Sequence, residues 1–326
     1  MAHQPWDGHG ITTLFPYAGK VYLGYGSYTT NSGTASGLGC DVSAYDPVAG
    51  SFVVAMPGVA TEAILTYRQI GGRLYVPQTD PTFRPGDPRC GSFASNASGT
   101  WRAGGPAADG QHYYDVQAGA PGELILAGGG GSAGRIWSST DGGSTWTQLI
   151  NETDTIPDGF ERFFWIGRIG SVLYVKAALG QYSQDSPMRT FDVKRRRWGT
   201  VNSRSIDTGY VTPYGPYLLG EDPAFAGSKV ISSDGYIYVD TTYAGLVAFN
   251  GRSMAYPLGR GVSSALIPSD DGAVYAATSA GTFRLSGTGA TRLDGESRRP
   301  GDALAVLGGR LYAGTTTGEV LSRPLA

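Results

Sequence analysis

A short strand, a glycine-containing turn and a second strand of the form aliphatic-Tyr recur along this chain. A recurrence of that kind constrains the architecture before any single motif is considered. The copies are GKVYLG (19–24), GRLYVP (72–77), GELILA (122–127), SVLYVK (171–176), GYIYVD (235–240), GAVYAA (272–277) and GRLYAG (309–314). Aligning Tyr22, Tyr75, Ile125, Tyr174, Tyr238, Tyr275 and Tyr312 gives spacings of 53, 50, 49, 64, 37 and 37 residues. Counting from Tyr312 through the C-terminus and round to Tyr22 gives 36, so the period continues across the termini as it does in a closed ring. A second hairpin follows each copy, for example VSAYDPVAGSFVVAM (42–56), RTFDVKRRRWGTV (189–201) and GTFRLSGTGATRL (281–293). Inner plus outer hairpin makes a four-stranded antiparallel unit of about 36–50 residues, the size of one β-propeller blade.

The expected fold is therefore all-β: a seven-bladed propeller of four-stranded antiparallel blades, forming one domain over residues 1–326. The blades fall at approximately 11–56, 61–103, 113–150, 160–201, 228–258, 262–293, and 303–326 plus 1–9. Composition agrees, because 51 glycines and 20 tyrosines in 326 residues suit many short strands joined by tight turns. The last blade has residues for only three strands, and Trp6 stands where a fourth is needed. The N-terminal segment is expected to supply that strand, closing the ring and covering a bare sheet edge. Trp101, Trp146 and Trp198 are expected on outermost strands, packed against the next blade. Residues 202–227 read as an insertion, with an eighth blade as the alternative, since TPYGPYLLG echoes FPYAGKVYLG at 15–24.

Several function classes are disfavoured at this level. A net charge of −2 supplies no broad field for nucleic acid or an anionic membrane. No apolar run approaches the roughly 18 residues of a membrane span, and MAHQPWDGHG has neither the basic nor the apolar region of a signal peptide. Synthesis and initial retention in a cytoplasm are expected. Cys40 and Cys90 do not make a disulfide framework, and whether they pair stays open. No cofactor or metal is assigned: His3, His9 and His112 are scattered, and Asp80, Asp87, Asp270 and Asp271 lack the alternating-oxygen pattern of a calcium loop. Lys194 to Arg197, beside Asp192, reads as a solvated hairpin tip.

The stretch IWSSTDGGSTWTQL (136–149) carries Ser139-x-Asp141-x-Gly143-x-x-Trp146, which resembles the Asp-box, a β-hairpin motif best known from sialidases. A sialidase also needs an arginine cluster, a tyrosine nucleophile with an acidic partner, and an aspartate acid/base. Only one convincing Asp-box is present, and Phe83-Arg84-Pro85 departs from the family's Phe-Arg-Ile-Pro element in lacking the aliphatic residue. Ser139, Asp141, Gly143 and Trp146 are therefore expected to build a turn. No catalytic residue is assigned and no enzyme activity is expected; a sialidase-like propeller that binds or hydrolyses glycans is the alternative.

Connection lengths differ between the two faces of the expected disc. With strands a to d running outward, the a–b and c–d turns share one face, and the b–c and d–a connections share the other. On the second face blades five to seven have only TYAG (242–245), TSAG (278–281) and TTTG (315–318), whereas blades one to four carry 26–40, 77–90, 128–134 and 177–187, joined by the 201–229 insertion. Long loops on a rigid scaffold are where binding usually resides. Tyr28, Phe83, Tyr182, Tyr214, Tyr217 and Phe225 place aromatic rings on those connections, which suits partner contact.

Three segments, VYLGYGSYTTNSG (21–33) with AYDPVAGSF (44–52), TEAILTYRQIGGRLYVPQTDPT (61–82) and RIWSSTDGGSTWTQ (135–148), are similar to minor tail proteins of long-tailed bacteriophages that infect actinobacteria. The resemblance is strongest over residues 11–150. It implies a non-enzymatic structural subunit of the tail tip or baseplate, assembled into the virion in the host cytoplasm. Its implied partners are other tail proteins, in symmetric copies about the tail axis, together with a host-surface glycan or protein in attachment.

Overall fold

The computed structural model describes residues 10–26, 39–59, 61–79, 93–97, 99–130, 133–152, 161–179, 189–200, 230–241, 245–262, 264–293 and 303–325. Every regular element in them is a strand, and no helix is long and apolar enough to cross a membrane. The strands pair as antiparallel meanders into six four-stranded sheets and one three-stranded sheet. The four-stranded sheets span 13–59, 68–103, 112–152, 161–200, 230–255 and 265–292, and the three-stranded sheet spans 303–324.

The architecture is a β-propeller, with one correction to the expectation. Among the described residues six blades have four strands, not seven, and the last has three; residues 1–9, expected from the sequence to supply its fourth, lie outside the described residues. Blade seven nevertheless packs on blade one. Ala303, Ala305, Leu307 and Tyr312 share a buried cluster with Leu14, Tyr22 and Leu23 of blade one and with Leu74 and Val76 of blade two. The other five clusters join blades two and three, three and four, four and five, five and six, and six and seven. Each sheet therefore buries both faces against neighbours, which is why strand b reads as a nearly continuous apolar run.

The repeated aromatic position explains the spacing signal. Tyr22, Tyr75, Ile125, Tyr174, Tyr238, Tyr275 and Tyr312 all lie on strand b and are all buried. Several reach into the adjoining blade: Tyr22 lies 5.8 Å from Trp101, Tyr174 lies 5.1 Å from Phe249, and Tyr312 lies 6.4 Å from Tyr45, measured between ring centres. The a–b turns account for part of the glycine content. Gly71 and Gly72 have φ of 56° and 76°, and Gly308 and Gly309 have 57° and 71°, the pair of positive values a two-residue hairpin needs to follow strand twist.

The outer turns share a device that the alignment of strand b does not reveal. An Asp or Asn at the end of strand c accepts backbone N–H groups from the turn that follows, as an Asx-turn does. Asp46 accepts from Val48 and Ala49, Asn96 from Gly99, Asp192 from Lys194 and Arg195, and Asn250 from Arg252 and Ser253, all within 2.9–3.1 Å. Asp46 is also ion-paired to Lys20.

The tryptophans require a second correction. Trp101 and Trp198 are on strand d, but Trp146 lies in the turn just before its strand d, Thr147–Glu152. Each joins the cluster shared with the preceding blade, not the next one. Sheet twist carries the outer strand over the neighbour on that side.

Candidate functional site

Two surfaces come under consideration, one on each face of the ring. On the long-loop face, the contact candidates Tyr28, Phe83, Tyr182, Tyr214, Tyr217 and Phe225 all lie outside the described residues, as do Cys90 and Phe83-Arg84-Pro85. The strand ends beneath those loops are described, and they bury polar groups. Glu62, Gln78, Thr79, Arg162 and Asp240 are all buried there, and Ser264 Oγ donates to Asp240 Oδ1 at 2.9 Å. Cys40 Sγ donates to the Glu62 carbonyl at 3.3 Å.

The Asp-box-like hairpin spends its polar groups on itself. Asp141 Oδ1 accepts the N–H groups of Ser144 and Thr145 at 2.9 Å each and the Ser139 hydroxyl at 2.8 Å, while Oδ2 accepts the Thr145 hydroxyl at 2.7 Å. Gly143 N–H donates to Ser139 Oγ at 2.8 Å. These donors, the Thr145 N–H foremost, hold the Asp141 carboxyl far below the usual range. The loop is then tied to blade two: Trp146 Nε1 donates to the Gly105 carbonyl at 3.0 Å, and Arg102 Nη2 donates to the Gly142 carbonyl at 2.9 Å. A carboxylate so occupied serves as a turn and leaves little acceptor capacity for a substrate.

Lys194 to Arg197 are exposed at the c–d turn of blade four. Arg196 pairs with Glu123 of blade three at 2.6 Å, and its guanidinium lies 5.1 Å from the centre of the Phe191 ring. Part of the run therefore clamps neighbouring blades together.

The residues that reading along the chain missed are on the ring axis. Arg68 begins the inner strand of blade two, Arg68–Ile70, and its Nε and Nη2 donate to the two Asp115 oxygens of blade three at 2.7 and 2.8 Å. Its Nη1 donates to the Val230 carbonyl of blade five at 2.6 Å. Asp115 Oδ2 also accepts Ile166 N–H of blade four at 2.8 Å. One ion pair thus laces four blades across the centre, in a bidentate geometry suited to a guanidinium and a carboxylate. The Asp115 side chain is 1% exposed and that of Arg68 is 16% exposed.

Above this bridge, on the short-turn face, opens a cavity of about 720 Å³. Its wall includes Phe15, Arg68, Gln117, Arg168, Ser232, Asp234, Asp270 and Asp271. Arg168 is held by its neighbours: Nη1 donates to the carbonyls of Ala118 and Gly119 at 2.7 and 3.0 Å, and Nε donates to the Gly170 carbonyl at 2.9 Å. Also on the wall, Asp271 accepts the Ser269 hydroxyl and the Ala273 N–H, which lower its pKa. Asp270 accepts Gly308 N–H at 3.1 Å. Among the described residues no group of three His, Cys, Asp or Glu is placed to hold a metal ion.

No protein-family model matches the sequence, and neither does any curated protein. Solved structures do match in fold. The GH74 xyloglucanase from Xanthomonas campestris aligns over 96% of this chain with a TM-score of 0.58 at 13% identity, and the GH74 enzyme from Niastella koreensis aligns over 96% with 0.54 at 14%. Virginiamycin B lyase from Staphylococcus aureus aligns over 100% with 0.56 at 8% identity. This chain spans 43% of each GH74 chain and 98% of the lyase. At such identities the likeness establishes the β-propeller and nothing about chemistry.

Proposed function

We propose that this chain is a non-enzymatic structural subunit of a bacteriophage tail tip, a minor tail protein that joins other tail proteins and takes part in host-surface attachment. The observation that carries this reading is the unequal division of chain between the faces of a rigid ring. The a–b turns are short, and the b–c connections of blades six and seven stay short, while long connections collect on one side of blades one, two and four; blade three corrects the sequence expectation, because residues 128–130 and 133–134 are paired strand and only two residues separate Leu124–Gly130 from Ala133–Ser139. The family resemblance over residues 11–150 supports the same reading. So does the Asp-box-like turn, whose carboxylate is occupied by its own loop. In this reading the chain is assembled into the virion in the host cytoplasm, in symmetric copies about the tail axis.

The N-terminal segment completes blade seven in the same proposal. Ile11 N–H donates to the Thr315 carbonyl at 3.1 Å, and a Cβ on Gly10 would meet Thr316 Cα at 2.2 Å. The chain therefore enters blade one directly beside the b–c turn of blade seven. A strand ending there would run antiparallel to Val320–Pro324, the open outer strand on which Leu321 is 54% exposed.

Cryo-electron microscopy of the assembled tail tests the function. Contacts through 26–40, 77–90, 177–187 and 208–227 are expected; contacts mainly through the c–d turns, with those loops free, would overturn the face assignment. A glycan-binding or glycan-hydrolysing propeller is the second reading, favoured by the fold likeness to two GH74 enzymes. Turnover of chromogenic glycosides by the purified protein, abolished by one substitution in an axial pocket, would replace the first reading with the second.

A further inference from the structure

The first residue of strand b is charged in each of the first three blades, and its charge is answered in only two of them. Lys20 of blade one is ion-paired to Asp46. Glu123, in the a–b turn just before strand b of blade three, is ion-paired to Arg196, which the c–d turn of blade four carries across the seam between the blades. Arg73 opens strand b of blade two, directly after the glycines of the a–b turn. It forms no ion pair among the described residues. The residue is half-buried, and its Nη1 is fully buried without a hydrogen-bond partner.

The turn that crosses the seam to Arg73 is the Asp-box-like one of blade three, and it presents a glycine. A Cβ on Gly142 would stand 3.0 Å from Arg102 Nη2 and 3.6 Å from Arg73 Nη1. Two guanidiniums of blade two, one from strand b and one from strand d, therefore converge on one point of that turn. Arg102 is exposed, and of its donors only Nη2 is engaged, by the Gly142 carbonyl at 2.9 Å. Tyr75 lies close to both: its phenol is raised by burial and drawn back by the fields of Arg73 and Arg102. The neighbouring carboxylate, Asp141, accepts from its own loop and pairs with neither arginine. Two like charges held side by side repel, and a half-buried one without an acceptor is also poorly solvated, so an anion that joined them would stabilise both.

We propose that Arg73 and Arg102, beside the Gly142 turn, form a binding site for a phosphate group at the seam of blades two and three. Each guanidinium offers a planar fork that receives two oxygens. A phosphate dianion has the charge and the oxygens to answer both forks at once, whereas a carboxylate answers one. The same chemistry is presented by the free ion and by a monoester carried on a sugar. The site lies on the short-turn face, opposite the long loops, so it goes beyond the tail-assembly reading and stands or falls without it.

Isothermal titration of the full chain with inorganic phosphate, glucose 6-phosphate and acetate, at low salt and a pH of about 7.5 where phosphate is mostly dianionic, tests this. Phosphate is expected to bind with a Kd below about 1 mM, and acetate at least about tenfold more weakly. Glucose 6-phosphate binding as tightly as inorganic phosphate would assign the site to an ester on a partner; inorganic phosphate binding alone would assign it to the free ion. Arg73→Met and Arg102→Met should each weaken phosphate at least about tenfold. Arg196→Met should leave it unchanged, because that charge is already answered by Glu123. Without phosphate, Arg73→Met should melt no lower than the parent, since the charge it removes has no described partner; Arg102→Met, on an exposed strand, reads the site if Arg73→Met does not fold. No heat with either phosphate up to about 10 mM, acetate binding as tightly as phosphate, insensitivity to both Arg73→Met and Arg102→Met, or an equal loss in Arg196→Met would overturn the proposal.

Discussion

Asp115→Asn is the sharpest perturbation of the ring. The carboxylate is 1% exposed and accepts from Arg68 twice, from Ile166 and from Val116, so an amide of nearly equal volume removes charge and one acceptor without opening a cavity. Arg68 is then left charged, with the Val230 carbonyl and one neutral amide oxygen as acceptors in place of a bidentate carboxylate. Breaking a buried pair in this way costs about 3–5 kcal/mol. Arg68 borders an open cavity that admits water, which places the cost near the lower end, about 3 kcal/mol. Unfolding entropy near 2.1 cal/mol/K per residue gives about 0.7 kcal/mol/K for this chain, so the melting temperature should fall by about 4 °C. Scanning calorimetry measures the shift, and a double-mutant cycle in urea isolates its cause. The double variant Arg68→Met/Asp115→Leu, which leaves no charge behind, should recover most of the loss. An Asp115→Asn protein melting within about 1 °C of the parent, or a double variant no more stable than the single one, would refute the claim that the pair holds the centre.

Three further outcomes are expected. Deleting residues 1–9 should lower the melting temperature by several degrees: a Trp6 ring buries about 200 Å², worth about 5 kcal/mol, and a truncation as stable as the full chain would remove the closure proposal. Asp46, Asp141 and Asp271 have folded pKa values depressed by their hydrogen bonds. Their stabilisation is complete above the unfolded value of about 3.9 and is lost as pH falls through the folded values; a melting temperature flat from about pH 5 to pH 2 would contradict this. Tyr22, Tyr25, Tyr67, Tyr75, Tyr174, Tyr238 and Tyr275 are raised, chiefly by burial. They keep their protons when folded, so stability is full below about pH 10 and declines above it. Ultraviolet titration should show these phenols ionising together with unfolding, and independent ionisation in a folded chain would count against it.

The blade was legible in the sequence because its determinants are local. Alternation along strands, positive-φ glycines at the a–b turns and a Tyr on six of the seven b strands, with Ile125 on the other, all recur from repeat to repeat, so a single chain displays the pattern several times. The Asx residues closing the c–d turns were equally local. They were visible as Asp or Asn after strand c in AYD (44–46), FD (191–192) and FN (249–250), but their regularity emerges only once strand ends are known. The direction in which each tryptophan packs was not legible, because it depends on sheet twist and not on the residue's own strand.

The centre of the ring was decided by tertiary structure alone. Arg68 meets Asp115 at a separation of 47 residues and the Val230 carbonyl at 162, and Arg168 reaches Ala118 at 50. Each of these residues occupies its inner strand once and follows no period, so nothing nearby in the chain marks it as different from any other polar residue near a turn. Only closing the sheets around one axis brings the inner strands close enough for a charge from one blade to be answered by another. The repeat therefore specified that there would be an axis, and packing specified which side chains would fill it and which charges would be left facing the cavity above.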